Sequence, residues 1–231
     1  MIRNRTIALP VVATDPWLAP RIPEHSRLIA TVETMSGRLA ALGYGVSTGP
    51  LVWNRHKDQL RDQPGGEGVH PLIWAEAIAP DGRFIFRAEK RGHHAWFKLA
   101  AGDGWLLVDR PCVLLQRTTA KEQARRLIAA ELPPAFVRKH GGVVVENHLN
   151  MVRVISEPLV SPKVIAALLN SNIVDQVFRC ISGSVAVSAF ELEALPLPSP
   201  ADLQPLEGLI SAGADRTAIE AECGRLYGAA G

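Results

Sequence analysis

The chain of 231 residues is long enough for one large domain, and its 47% hydrophobic and 21% charged residues are typical of a folded protein, not a disordered one. Because 25 Lys and Arg residues stand against 23 Asp and Glu, the net charge of +2 indicates no particular partner, and any basic surface must come from local clustering. No apolar run approaches the roughly 20 residues that span a bilayer, no signal-peptide pattern opens the chain, and three isolated cysteines exclude a C-x-x-C metal or redox motif. We therefore expect a reduced, cytoplasmic protein with no membrane partner.

The first part of the chain is predicted to be a linker followed by a helix and a loop. Prolines at positions 10, 16, 20 and 23 favour an extended linker over residues 1–25. Apolar residues recur at helical spacing over residues 26–42, and Gly43 is suited to end that helix. Gly49, Pro50 and their polar neighbours predict a loop over residues 47–57.

The rest of the chain is predicted to mix short strands with helices. Between turns rich in Gly, Asp and Pro, strands are expected at residues 72–78, 84–86, 105–107, 112–115 and 143–145. Helices are expected at residues 120–131, 163–170 and 175–179, and prolines 196, 198 and 200 stop the regular structure there. Apolar residues beyond them predict a C-terminal helical segment, residues 201–231, broken near Gly213. The fold class is therefore α+β: mixed short-stranded sheets with packed helices, a main domain over residues 26–200 and the C-terminal helical segment.

The sequence contains no convincing catalytic constellation. Methyl transfer from S-adenosylmethionine usually needs a Gly-rich turn after a strand, and none of the paired glycines stands in that context. Glu146, Asn147, His148 and Asn150 place a carboxylate, an imidazole and two amides within five residues. If this segment is a strand, Glu146, His148 and Asn150 share one face. The cluster is interpreted either as a polar network that fixes a turn or as a binding site, and an independent small-molecule enzyme that uses it stays open.

Two other segments carry residue types that bind nucleic acids. Residues 54–57 (NRHK) place amide, guanidinium and ammonium donors in a loop, and Arg and Asn are the types that make bidentate contacts with base edges. In the second segment, Thr118 or Thr119 is suited to cap a helix, with Glu122 at capping-box distance from Thr119. A helix N-terminus with Arg117 beside it would bind a phosphate. The alternative is a solvated amphipathic helix whose arginines pair with carboxylates.

Six segments in a fixed order resemble a known family. They are residues 45–55 (GVSTGPLVWNR), 114–123 (LLQRTTAKEQ), 146–150 (ENHLN), 168–171 (LLNS), 175–184 (DQVFRCISGS) and 195–198 (LPLP). Together they resemble the C-terminal target-recognition region of TaqI/Eco57I-like adenine-N6 DNA methyltransferases of restriction-modification systems. The ending is also similar to that of type I specificity subunits, and the resemblance covers about residues 36–200.

The resemblance implies a module that recognises the sequence of double-stranded DNA and lacks the catalytic domain. It implies that S-adenosylmethionine is bound by a catalytic domain or partner subunit, that this chain itself holds no cofactor or metal, and that alone it is inactive. We expect Arg117, Thr118, Thr119 and Lys121 to contact the DNA backbone, and residues 54–57 to enter a groove. The predicted DNA-binding residues are Thr48, Asn54, Arg55, His56, Lys57, Arg117, Thr118, Thr119, Lys121, Asn147, His148, Asn150, Arg179, Ser182 and Ser184. The alternative is a non-catalytic interaction or structural subunit that does not contact DNA.

Overall fold

The computed structural model describes residues 17–20, 22–23, 25–119, 123–182 and 184–229. Within these ranges the helices are α1 His25–Val32, α2 Pro134–His140, α3 Pro162–Leu169, α4 Asn172–Ile181, α5 Ala189–Glu193, α6 Gln204–Ser211 and α7 Arg216–Leu226. The strands are β1 Tyr44–Thr48, β2 Leu60–Arg61, β3 Val69–Ile73, β4 Trp96–Lys98, β5 Leu107–Val108, β6 Cys112–Gln116, β7 Ala129–Glu131, β8 Val143–Val145 and β9 Leu149–Val154. The predicted α+β class is confirmed.

The first sheet has the strand order β1-β9-β6-β7 and is antiparallel throughout. Alternate residues of β6 enter different cores, as the pleat of a strand requires. Val113 packs against buried residues of the helices, which include Leu168 of α3 and Phe178 of α4. Leu114 faces the other way, toward Val143 and other residues of the second sheet. The first sheet therefore lies between the helices and the second sheet.

The second sheet has the order β2-β4-β3-β8-β5 and contains one parallel pair. In that pair Leu72 lies opposite Val144 and Ile73 opposite Val145. The β8 strand is buried on both faces: Val143 and Val145 face the first sheet, and Val144 faces a third cluster that contains Trp74. The parallel pair matters for the site because both strands end at the same edge.

The C-terminal helices pack on the same core as the first sheet. Leu206 of α6, Cys223 of α7 and Tyr227 are buried with residues of β1, β6 and β9. The predicted break near Gly213 is confirmed, because α6 ends at Ser211 and α7 begins at Arg216. In the part of the chain that the structure describes, no single helix has the length and apolarity to span a membrane. Only taken together do α3 and α4 have that length and composition, and they are bent by 69° relative to each other.

Two predicted helices differ in the structure. The helix expected over residues 26–42 ends at Val32. It cannot continue to residue 42, because Gly37 forms a bridge with Leu197, where a Cβ would come within 2.3 Å of the Leu197 carbonyl oxygen. The helix expected over residues 120–131 is wrong for its described part: residues 123–128 are irregular and Ala129–Glu131 is strand β7, paired with β6. Residues 120–122, and most of the predicted linker, lie outside the described residues.

The predicted strands have mixed outcomes. Those at residues 112–115 and 143–145 are confirmed, as are the helices over residues 163–170 and 175–179, the second of which is longer than predicted. The strand predicted at residues 72–78 is β3, shifted toward the N-terminus, and a short 3-10 helix follows it. Residues 84–86 form a single bridge through Phe84, and Trp105 lies in a 3-10 helix before β5. The elements β9, α2 and α5 were not predicted, and Ser47 and Thr48 belong to strand β1, where a loop was predicted.

Candidate nucleic-acid interface

Three segments of the chain leave the second sheet at one edge. The strands β3 and β8 run parallel, so the segment 74–76 and the turn 146–148, which follow them, emerge together. Leu51 forms a parallel bridge with Glu146, so the loop 52–57 continues in the same direction. We call these three segments the common edge, and they bring together two of the predicted binding segments, which are separated by 88 residues (58–145) in the sequence.

The turn 146–148 is fixed by its own buried carboxylate. The side chain of Glu146 is fully buried and accepts hydrogen bonds from the backbone N–H of His148 and from its Nδ1, each at 2.8 Å. The His148 side chain is 63% exposed. The strand alternation considered for this segment is therefore wrong. The structure shows the polar network that fixes a turn, and it presents the imidazole to solvent.

Arg117 ties this turn to the first sheet. Its Nη1 donates to the Asn147 carbonyl at 2.7 Å, and its backbone N–H donates to the His148 carbonyl at 2.9 Å. From the other side, the backbone N–H of Asn147 donates to the Leu51 carbonyl at 2.9 Å. The turn is thus held between two chain segments, which fixes the direction in which the side chains of Asn147 and His148 point.

Residues 117–119 form an extended segment and not the start of a helix. The backbone N–H of Val187 donates to the Arg117 carbonyl at 2.7 Å, and Thr118 forms a bridge with Ala186. Thr118 is exposed, whereas Thr119 is buried and its hydroxyl accepts a hydrogen bond from Arg126. The expected phosphate site at a helix N-terminus is therefore wrong for the described residues. Lys121 and the capping residue Glu122 lie outside them.

Four of the predicted contact residues support this surface from within or from its margin. Asn150 is fully buried in β9, where its Nδ2 donates to the Val187 carbonyl at 2.8 Å. Ser182 is buried at the end of α4, where its hydroxyl accepts a hydrogen bond from the backbone N–H of Ser184. Arg179 pairs with the buried Asp175 at 2.7 Å and donates to the Ala124 carbonyl. Burial leaves Thr119, Asn150 and Ser182 no surface to offer DNA, so their predicted contact role is corrected to one of support.

The loop 52–57 presents three polar side chains to solvent. Asn54, Arg55 and Lys57 are exposed, and the Lys57 ammonium lies 5.8 Å from the centroid of the Trp53 ring. His56 is half-buried, with its ring edge on Phe97 and its Nδ1 2.7 Å from Gln59 Oε1. Gln59 in turn donates to Asp103 at 2.6 Å, and this hydrogen bond holds the pKa of the Asp103 carboxyl below its ordinary value. The base of the loop is anchored while its polar tips stay accessible.

Most of the predicted DNA-binding residues therefore lie on one accessible surface. It runs from the loop 52–57 across the turn 146–148 to the segment 117–119 and residues 184–186. The members that are exposed or half-buried are Thr48, Asn54, Arg55, His56, Lys57, Arg117, Thr118, Asn147, His148 and Ser184.

Comparisons with known proteins give the reaction class of the relatives. No protein-family model matches the chain. Over 164 residues it is 32% identical to the Type II methyltransferase M.BsuBI of Bacillus subtilis, a match that covers 70% of this chain and 32% of that protein. The chain is related to type II methyltransferases. Over 177 residues it is also 28% identical to the Type II methyltransferase M.PstI of Providencia stuartii, covering 76% of this chain and 34% of that relative.

The chain spans about a third of the length of the curated relatives it matches. The activity of those whole proteins is therefore carried to this chain only as a proposal. The family resemblance implies S-adenosylmethionine, and the described glycine pairs test whether that cofactor fits here. Gly43 and Gly45 lie before and within β1, Gly66 and Gly68 lie in a loop before β3, and Gly102 precedes a four-residue 3-10 helix.

None of these glycines joins a strand to an α-helix, the arrangement in which backbone amides approach a nucleotide cofactor. The glycine pairs therefore give no support for a cofactor loop. Among the described residues, no three or more His, Cys, Asp or Glu side chains are placed where they could hold a metal ion.

Residues 87–94 also lie at the common edge and were missed by sequence reasoning. His93 stacks on Trp74 and hydrogen-bonds Glu76, both in the segment that follows β3. The signal was present in the sequence, because residues 87–98 contain four Lys or Arg, two His and a single acidic residue. The near-neutral charge of the whole chain concealed this local excess.

Proposed function

We propose that this chain recognises the sequence of double-stranded DNA for an adenine-N6 DNA methyltransferase of a restriction-modification system. S-adenosylmethionine is then bound by a catalytic domain or partner subunit, and this chain alone is inactive. The observation that carries the proposal is the common edge, where exposed basic and amide side chains stand on anchored loops. The similarity to type II methyltransferases supports the reaction class.

The side chains on this surface suit two different kinds of DNA contact. Arg55 and Asn54 carry the groups that bind guanine and adenine edges in the major groove, so the loop 52–57 is assigned to sequence reading. Lys57, Thr118 and Ser184 suit phosphate oxygens, which fix register without carrying sequence information. Arg117 donates one of its five N–H groups to the Asn147 carbonyl. It therefore positions the turn and also supplies positive charge to the surface.

The anchoring of the loops supports recognition because ordering a loop on binding costs free energy. Here the turn 146–148 is already held by Leu51 and Arg117. A base that is modified within duplex DNA must also be extruded, at a cost of a few kcal/mol. A rigid module that grips the duplex beside the target supplies part of that free energy, and the catalytic domain holds the extruded base.

The decisive experiment is selection of bound duplexes from a random pool by the purified chain, at about 50 and 200 mM salt. We expect binding that weakens steeply with salt and an enriched short motif. Binding without an enriched motif would overturn sequence recognition by this chain alone. No binding at either salt concentration would overturn the proposal and favour an interaction subunit that does not contact DNA.

Two variants assign the surface within the same experiment. Arg55→Ala should weaken binding to the selected motif by about 5- to 100-fold and relax its sequence at one position, because it removes a base-edge contact. Arg117→Ala should weaken binding to all sequences and reduce the steepness of the log–log salt dependence by about 0.9.

The matched control is Lys163→Ala. Lys163 is exposed in the first turn of α3. The chain just before α3 contacts the start of β1, because the Tyr44 hydroxyl donates to the Val160 carbonyl. Thr48, on the proposed surface, lies at the opposite end of β1. This control should bind like the parent chain. Unchanged DNA affinity at low salt in both Arg55→Ala and Arg117→Ala would show that the surface is wrongly assigned.

A further inference from the structure

A second basic loop, residues 87–94, lies beside the loop 52–57. Its tip carries Lys90 and Arg91, both exposed, and Gly92 follows with a φ of +82° that suits a tight turn. Among the described residues neither Lys90 nor Arg91 forms an ion pair. Two adjacent cations thus stand in solvent at the common edge.

The loop is held by one buried carboxylate. The side chain of Glu76 is only 8% exposed, and its Oε1 accepts from the backbone N–H groups of Glu89 at 2.9 Å and Lys90 at 3.4 Å and from His93 Nδ1 at 3.0 Å. The Nε of Arg87 donates to the Glu76 carbonyl at 2.6 Å. Burial by itself raises the pKa of Glu76, but the hydrogen bonds from His93 and the two amides outweigh it, so the net pKa is lowered and the group stays ionised.

Aromatic side chains join this loop to the one already assigned to DNA. The His93 ring stacks on Trp74 with centroids 3.8 Å apart and an interplanar angle of 11°. Trp74 also donates from Nε1 to the His94 carbonyl at 2.7 Å, and its ring meets Trp53 edge to face at 6.0 Å. Trp53 lies under Lys57. Lys57, Trp53, Trp74 and His93 therefore form one continuous column between the two loops, which fixes their separation.

This arrangement suits a polyanion with regularly spaced charges. The loop tip offers two cations, and the exposed carboxylate beside them, Glu89, is paired with Arg87 at 3.7 Å. The loop backbone is held by Glu76 before any ligand binds, so little free energy is lost in ordering it on binding. A duplex that places a groove on the loop 52–57 brings the phosphates of one flanking strand past the neighbouring loop, since a groove is bordered by two backbones.

We propose that the loop 87–94 is a second DNA contact, in which Lys90 and Arg91 bind phosphates beside the groove read by the loop 52–57, and Glu76 positions the loop. This inference rests on the proposed function. It goes beyond the proposed function because it assigns a sequence-independent DNA contact to residues outside the segments that resemble the methyltransferase family.

The test compares the double variant Lys90→Ala/Arg91→Ala with the parent chain on duplex DNA. Each lost phosphate contact should reduce the log–log salt slope by about 0.9, so two contacts reduce the ratio of affinities at 50 and 200 mM salt by roughly tenfold. The motif enriched from a random pool should be unchanged. The control Arg27→Ala/Lys163→Ala removes the same charge from exposed positions on α1 and α3 and should keep the parent salt slope.

The outcomes separate this inference from the proposed function. If Arg55→Ala and Arg117→Ala weaken binding while Lys90→Ala/Arg91→Ala matches the control, the second contact is overturned and the recognition role stands. If the parent chain binds no duplex, both the second contact and the proposed function are overturned.

An independent measurement is cleavage by trypsin after Lys90 and Arg91, followed by mass spectrometry. Duplex DNA should slow it, and equal cleavage with and without saturating duplex would contradict the contact.

Discussion

At the scale of single residues, Gly49 fixes the distance between the first sheet and the turn 146–148. Its backbone N–H donates to the Leu149 carbonyl at 2.8 Å, and a Cβ at this position would lie 2.3 Å from the Glu146 carbonyl oxygen and 2.9 Å from that of Val145. Real Cβ atoms do not approach backbone oxygens so closely. Gly49 is therefore required by packing, although its φ is one that other residues adopt.

We expect Gly49→Ala to lower the free energy of unfolding by about 1–3 kcal/mol, because the added methyl group must push the Glu146 backbone away. Chemical denaturation measures this change. The matched control is Gly104→Ala, since Gly104 has open space around its Cβ position and no positive φ, and its effect should stay within about 0.5 kcal/mol. Equal stabilities of the two variants would show that the close approach at Gly49 does not exist in solution.

The same scale shows why the sequence predicted the site only in part. Residue types and turn signals were enough to place Arg55 and Lys57 on an accessible loop, whereas the segment of His148 was left open between a turn and a strand. They could not show that Asn150 is buried, because its burial depends on β9 lying between β1 and β6. Nor could they connect Glu76 with His93, since the two are 17 residues apart and meet only through the fold around Trp74.

At the scale of elements, α4 organises the chain that precedes β7. Asp175, buried in the first half of α4, accepts from the backbone N–H groups of Arg126 at 2.5 Å and Leu127 at 2.8 Å and pairs with Arg179 one turn later. These contacts hold residues 123–128 in an irregular conformation that leads into β7. Arg179, a predicted DNA-binding residue, thus helps to position this segment through the Ala124 carbonyl.

We expect Asp175→Ala to lower the free energy of unfolding by about 3 kcal/mol, at the low end for breaking a buried ion pair because Arg179 is one-third exposed. Thermal or chemical denaturation of the purified variant measures the loss. Asp81→Ala is the control, since Asp81 pairs with Arg83 on the surface and such pairs contribute about 0–1 kcal/mol. A loss for Asp175→Ala no greater than that of the control would mean that α4 does not hold this segment.

The misassigned helix over residues 120–131 shows the limit of periodicity. Leu127 and Ala129 are buried against the helices, whereas Ile128 and Ala130 are buried against the second sheet. A strand buried on both faces is a continuous apolar run, and such a run resembles part of a buried helix. The helices α3 and α4 were predictable because each buries one face and therefore shows the 3.6-residue period.

At the scale of the whole molecule, the exposed polar and basic side chains of the loops 52–57 and 87–94 lie at one edge of a close-packed chain. The C-terminal helices belong to the same core as the first sheet, as Leu206 and Tyr227 show, so they brace the side opposite the second sheet. The parallel pair β3 and β8 sends its following segments to the common edge. A net charge of +2 is compatible with a DNA-binding surface because phosphates are bound by local clusters of Lys and Arg, whatever the total charge of the chain.

The whole chain should therefore be stabilised by duplex DNA and not by S-adenosylmethionine. A ligand that binds only the folded state adds RT ln(1 + [L]/Kd), about 2.7 kcal/mol at a hundredfold excess over Kd, which raises Tm by roughly 5–10 °C for a domain of this size. Differential scanning fluorimetry at low salt, with the selected duplex and with S-adenosylmethionine in parallel, measures both shifts. S-adenosylmethionine should leave Tm unchanged because the described glycines do not form a strand-to-helix turn for it. A cofactor-induced rise in Tm, supported by micromolar binding in calorimetry, would place part of the cofactor site in this chain.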